Sequence, residues 1–240
     1  MPKSQETLTK RQKIKQERLK KQKRQRLITI LVVICVAIVV VGLMIYSSLV
    51  PKGKSSSNYP NAQFNAMGDP NAPVKIEEYS DFQCPYCQMF SQQTEGLIVE
   101  NYVATGKVYF VFNPYGPGGQ YIGPESEAAA KAAFCAGSEN KFWEYKELLY
   151  NNLTGENVGD FTEERLKAFA EEIGLDMERF NTCYAENQYA KELQEINTTG
   201  MDAGIDATPS FLINGKLIVG ALPYEEFEKE IEAALAAAGQ

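Results

Sequence analysis

Val74-Lys75-Ile76-Glu77-Glu78-Tyr79-Ser80-Asp81-Phe82-Gln83-Cys84-Pro85-Tyr86-Cys87 is the stretch that decides how this chain folds. Val74 to Tyr79 reads as a strand, and Gln88 to Tyr102 reads as a helix behind a Cys-x-x-Cys. At a helix N-terminus the free backbone N–H groups and the positive end of the macrodipole favour a thiolate, the species that attacks disulfides. Cys84 is therefore the expected nucleophile. Cys87, one turn further in, is placed to resolve a mixed disulfide by attacking Cys84. Pro85 suits the first helical turn, where its missing N–H would have had no partner.

Two blander readings compete. Half of a zinc site would need Cys135 and Cys183 as the other ligands, at irregular spacing, because the chain has no histidine and no second Cys-x-x-Cys. A purely structural clip is weaker still, since so short a loop removes little unfolded-state entropy. The missing histidine also excludes Ser-His-Asp and Cys-His nucleophilic pairs and histidine-ligated catalytic metals. A dithiol needs none of these.

The N-terminal fifth of the chain speaks of location. Residues 1–26 form a basic tail with eleven Lys or Arg against two acids, and residues 27–50 form a nearly uncharged apolar run. About 20 residues cross a bilayer as a helix, so 27–50 is expected to be a single transmembrane helix. Basic flanks stay cytoplasmic, which puts the remainder outside the cytoplasm at the cell membrane. A cleaved signal would have an apolar core of only about 7–15 residues. Cys35 lies inside the run and reads as a small apolar residue in the bilayer. The basic block is explained by topology and anionic lipid, so no nucleic acid partner is expected. Beyond residue 26 there are 13 bases and 29 acids, a balance of −16, as for an acidic domain.

Residues 51–64, with Lys52-Gly53-Lys54-Ser55-Ser56-Ser57-Asn58, have the composition of a flexible linker, and 65–240 is long enough for one packed domain. Val108 to Phe112 is a continuous apolar and aromatic run, as expected of a strand buried on both faces, and should run parallel to the first strand. A Gly- and Pro-rich loop over 113–124 leads into a helical block expected at 125–151, 162–173 and 176–203. Phe211 to Ile213 and Lys216 to Val219 flank Asn214-Gly215, a type I′ hairpin signal, and 223–238 reads as a closing helix. Trp143, Phe142 and Tyr145 read as helical core.

Three separated pieces carry a resemblance. They are Glu78 through Cys87, then Ala132 to Gly137 followed by Lys141-Phe142-Trp143-Glu144-Tyr145, then Gly204-Ile205-Asp206-Ala207-Thr208-Pro209-Ser210-Phe211 leading to Asn214-Gly215 and Gly220. With them the chain, over about 65–240, resembles the α/β thioredoxin fold with a helical insertion (about 124–203) found in DsbA-like oxidoreductases and their membrane-tethered BdbD-like relatives. The resemblance implies a cis proline facing the dithiol at Pro209, preceded by Thr208, whose backbone can pair with a substrate strand. It also implies a buried carboxylate behind the dithiol at Glu78, able to take or return the Cys87 proton; an ordinary solvated acid on an edge strand is the alternative. Tyr86 stands where the strong oxidant has histidine, which implies a less stabilised thiolate and a milder oxidant.

The four outer cysteines allow three pairings. The expected one joins Cys84 with Cys87, which are local, and Cys135 with Cys183, on helices expected to pack together. The second bond is structural and worth about 4 kcal/mol in the chain-entropy model. The implied activity is an extracytoplasmic thiol–disulfide oxidoreductase that forms disulfides in exported proteins, with no cofactor beyond the Cys84/Cys87 disulfide. Its implied partners are reduced or unfolded exported polypeptides, a quinone-linked membrane reoxidant and the bilayer. Competing expectations are a reductase or isomerase on the same site, and a tethered chaperone or binding module.

Overall fold

The strand expected from Val74 extends by one residue to form β2 (Val74–Ser80), and it lies at the centre of a five-stranded sheet. The computed structural model describes residues 59–239. The tail 1–26, the expected span 27–50 and the linker as far as residue 58 lie outside the described residues. Among the described residues no helix is long and apolar enough to cross a membrane.

In chain order the other strands are β1 (Ala66–Met67), β3 (Val108–Pro114), β4 (Ser210–Ile213) and β5 (Lys216–Val219), arranged β1-β3-β2-β4-β5. β2 and β3 are parallel, as expected of strands joined by a helix, and β4 runs antiparallel to β2. Glu78 is thus flanked by Phe112 on one side and Phe211 on the other, far from any sheet edge. The β4–β5 hairpin turns at Asn214-Gly215, with φ of 46° and 83°, the left-handed pair that a type I′ turn demands. The Asn214 side chain also accepts from the Lys75 N–H at 2.8 Å and pins the turn to the start of β2.

Behind the Cys-x-x-Cys, α1 (Pro85–Phe90) continues through a π-helical turn (Ser91–Glu95), the short α2 (Gly96–Ile98) and a second π-helical turn (Val99–Val103). The helical block is α3 (Pro124–Gly137), α4 (Phe142–Asn152), α5 (Glu163–Glu172), α6 (Met177–Glu186) and α7 (Ala190–Asp202), and α8 (Tyr224–Ala237) closes the chain. Two of the expected helices are therefore divided. The first breaks at Asn140 and the second at Asn187, both left-handed (φ of 58° and 51°), a conformation asparagine tolerates and a helix does not.

One layer of core joins these elements. Phe90 packs on Phe211 at 4.5 Å and Phe211 on Phe227 at 4.7 Å, linking α1, β4 and α8. Phe227, Ile231 and Leu235 recur every four residues and form the buried stripe of α8. Each such buried side chain contributes about 1.5–3 kcal/mol. The second strand's run is buried on one face only: Tyr109 and Val111 of β3 are half-exposed, a correction to the expectation of burial on both faces. In the insertion, Ala129, Ala130, Ala132, Ala133 and Ala136 of α3 are fully buried, small enough to let neighbouring helices come close. Phe142, Trp143 and Tyr145 of α4 belong to the same core.

The linker ends earlier than 64. Tyr59 stacks on Trp143 at 5.9 Å and donates to Glu147 at 2.7 Å, and Phe64 packs on Phe134 at 4.9 Å. Aromatic side chains with apolar partners in reach are held on the domain, so 59–64 belongs with it. Cys135 of α3 and Cys183 of α6 are joined by a disulfide with Cα atoms 5.8 Å apart, closing a sequence separation of 48.

Candidate active site

Cys84 is the N-cap of α1, extended at φ −75°, and Pro85 opens the helix. The turn before it is fixed by the Cys84 N–H donating to the Asp81 carbonyl at 3.1 Å, and the helix begins with Gln88 N–H donating to the Cys84 carbonyl at 3.1 Å. Cys84 and Cys87 are both free thiols. Cys84 lies at the rim with 6 % of its surface exposed, whereas Cys87 is sealed at 0 %, and Tyr86 between them points into solvent.

The loop before β4 faces this pair. The Thr208–Pro209 peptide is cis, Thr208 is half-buried, and the Cys84 thiol donates to the Thr208 carbonyl at 3.4 Å. Gly220 N–H donates to the Pro209 carbonyl at 2.8 Å, which ties the loop to the end of the hairpin. The structure thus brings Cys84, Cys87, Thr208, Pro209 and Glu78 together, while Cys135 and Cys183 sit apart in the insertion.

The two thiols are electrostatically unlike. Cys84 is drawn down to about 6, first because the Cys87 thiol donates to its thiolate, and also through the backbone N–H groups of Cys87 and Tyr86, against the opposing effect of burial. Burial pushes Cys87 well above the ordinary thiol range. Glu78 has no exposed surface, and burial raises its carboxyl to about 8, while the Lys146 charge pulls it back and Glu95 pushes it higher. A carboxyl that titrates near neutrality beside a sealed thiol is suited to exchange a proton with it.

Several residues of the site were not singled out from sequence. Lys146 of α4 is buried, pairs with Glu95, donates to Ser91 at 3.0 Å, and lies 5.2–5.4 Å from the ring centres of Phe112, Trp143 and Tyr150. It falls on the stripe Phe142, Lys146, Leu149, Tyr150, and a lysine on an apolar helical stripe was the signal. Asp81 is fully buried and accepts from Gln83 N–H at 2.8 Å, from Ile122 N–H at 3.1 Å and from the Ser126 hydroxyl, which anchors the dithiol turn to the start of α3. Gln88 donates to the carbonyls of Tyr150 (2.6 Å) and Leu153 (3.1 Å), clamping α1 to α4. Around the dithiol, Glu78 Oε2, both side-chain polar atoms of Gln83 and Thr208 Oγ1 are buried with no partner. Polar atoms left so are costly in an ordinary core and recur at reactive sites.

Comparison with known proteins agrees with this architecture. The family model described as thioredoxin matches residues 61–233. The probable disulfide bond formation protein D of Bacillus cereus is 26% identical over 203 residues, covering 81% of this chain and 91% of that one. The Na(+)/H(+) antiporter NhaA 1 of Salinispora arenicola is 29% identical over 175 residues, and the match spans 72% of this chain but only 25% of the antiporter. Among solved structures, oxidised BdbD from Bacillus subtilis superposes with a TM-score of 0.65 at 24% identity, over 76% of this chain and 98% of that one.

Proposed function

We propose that this chain, which belongs to the thioredoxin family and is a DsbA-like protein thiol–disulfide oxidoreductase, forms disulfide bonds in exported proteins through Cys84 and Cys87. The observation that carries the reading is the asymmetry of the pair: a rim thiol drawn down to about 6 at a helix N-terminus, beside a sealed thiol held high. A thiolate stabilised in the reduced form makes the disulfide easier to reduce, and therefore oxidising. A substrate thiolate attacks Cys84 Sγ of the disulfide, Cys87 leaves with the bonding electrons and gains a proton, and a second substrate thiolate attacks the mixed disulfide and releases Cys84. Thr208 and Pro209 hold the substrate backbone alongside, and Glu78 exchanges the Cys87 proton.

Turnover then needs an electron acceptor, and a quinone-linked membrane protein fits the reading. The apolar run 27–50 supports a single anchor with the tail 1–26 in the cytoplasm and the catalytic domain outside it. Ion antiport is no part of this reading, because the chain spans only a quarter of the antiporter it matches.

Trapping tests the reading. Cys87→Ser should hold substrates as mixed disulfides on Cys84, and Cys84→Ser should hold none and lose exchange by at least about 1000-fold, the scale of removing a nucleophile. Mass spectrometry of the complexes identifies the bonded cysteine. Trapping by Cys84→Ser instead would invert the roles. Retained function with both cysteines replaced by serine would favour the tethered binding module.

A further inference from the structure

When the Cys84–Cys87 bond opens, Cys87 leaves as a thiolate with no exposed surface, so its proton must come from inside the protein. The other ionisable groups named at the site are already engaged. Lys146 is committed to Glu95 and Ser91, Asp81 accepts three hydrogen bonds, and the Tyr150 hydroxyl donates to the Asp81 carbonyl at 3.4 Å. Cys84 donates to Thr208.

The side chain hydrogen-bonded to the Glu78 carboxyl is Ser80. Residues two apart on a strand share a face, and β2 therefore turns Glu78 and Ser80 to the same side, where both are fully buried. The Ser80 hydroxyl donates to Glu78 Oε1 at 2.5 Å, and Ser80 is also the neighbour that draws the Cys87 thiol down against the effect of burial. A hydroxyl can donate and accept at once, so Ser80 can complete a line from the Cys87 sulfur to the Glu78 carboxyl.

We propose that Ser80 is a catalytic residue whose hydroxyl relays the proton between Cys87 and Glu78; this rests on the reading above that Glu78 and Cys87 exchange a proton. As the disulfide opens, the Cys87 thiolate takes the Ser80 hydroxyl proton while Ser80 takes that of the Glu78 carboxylic acid. The products are a Cys87 thiol, an intact serine and a Glu78 carboxylate. In the resolving direction the Cys87 proton passes through Ser80 to the Glu78 carboxylate, and the freed thiolate attacks Cys84 and expels the thiolate bound there. The charged and titratable groups facing this line are Cys84 from α1, Glu95 from the π-helical turn, Lys146 and Tyr150 from α4, and Asp81 from the turn after β2.

The test isolates the resolving step in the full-length chain held in detergent. Cys84 is loaded with glutathione by reaction of the dithiol with oxidised glutathione, and release of reduced glutathione by Cys87 is followed from pH 5 to 9. Ser80→Ala should slow release at least tenfold at pH 7, Ser80→Thr should restore it to within threefold, and loading should be unchanged. Wild-type release should rise with a group titrating near 8, a dependence that Ser80→Ala loses. Glu78→Gln should match Ser80→Ala, and the double variant should be no slower than either, because both lie on one path. Should Ser80→Ala not fold, the near-isosteric pair Ser80→Thr and Ser80→Val makes the same comparison, with release retained in Thr and lost in Val. Release in Ser80→Ala or Ser80→Val within twofold of wild type, or effects of Ser80 and Glu78 that multiply, overturns the relay while leaving the dithiol reading intact. Failure of the wild type to load at Cys84 overturns both.

Discussion

The domain holds two cysteine pairs in opposite surroundings. Cys135 and Cys183 join two helices of the insertion, both buried in the aromatic and alanine-rich core. Cys84 and Cys87 lie three residues apart at the end of the central strand, one at the rim and one sealed, backed by a buried carboxyl and by polar atoms without partners. The chemistry of the sulfur is the same in both. What differs is the surroundings: a helix N-terminus, its backbone N–H groups and a buried carboxyl serve the first pair, whereas Cys135 and Cys183 lie within α3 and α6, buried in the core. A disulfide becomes labile where its thiolate is stabilised and stays inert where it is merely packed.

The largest effect that separates the pairs is on stability. Replacing Cys135 and Cys183 together by alanine should remove about 4 kcal/mol, or lower the melting temperature by roughly 10 °C, because the bond restrains a long loop in the unfolded chain. The exchange rate per folded molecule should stay within twofold. Thermal denaturation and a rate normalised to folded protein check both, and loss of activity without loss of stability would break the division of labour.

Next in size is the buried carboxyl behind the Cys84/Cys87 pair. Glu78 titrates higher in the folded state than unfolded, so its favourable contribution is complete below about pH 4 and is lost as pH rises through about 8, where the charge must be buried. Glu78→Gln should therefore melt about 5 °C higher than wild type at pH 9 and close to it at pH 4. An equal shift at both pH values would show that the carboxyl is not held protonated.

The smallest is at Tyr86, whose side chain is 63 % exposed and adds no charge to the Cys84 thiolate. Tyr86→His should lower the Cys84 pKa and raise the reduction potential by on the order of 30 mV, about 1.4 kcal/mol for two electrons. Glutathione equilibration reads the shift, and none would show that this residue does not tune the pair.

The same contrast explains what the sequence could reveal. The dithiol, β2, the Asn214-Gly215 hairpin and the insertion were legible because each rests on local chemistry: a helix entrance, a run of strand formers, a left-handed pair. The breaks at Asn140 and Asn187 were not, since asparagine occurs within helices and only tertiary packing decides whether it leaves them. β1 is two residues long, too short for any periodicity. The π-helical turns carry residues that suit an α-helix equally well. Glu78 was legible only through the family resemblance, which implies a buried carboxylate at that position before the dithiol, whereas Ser80 and Lys146 gain meaning only once β2 and α4 are packed against α1.

The central claim is that Cys84 and Cys87 form an oxidising couple and Cys135–Cys183 does not. The reduction potential of each pair, measured by equilibration with glutathione and thiol-specific mass tagging, tests it directly. The Cys84/Cys87 couple should lie between about −120 mV, the value of the strong oxidant, and about −270 mV, that of thioredoxin, while Cys135–Cys183 stays oxidised throughout that range. A Cys84/Cys87 potential at or below about −270 mV would contradict the oxidase and assign the site to reduction.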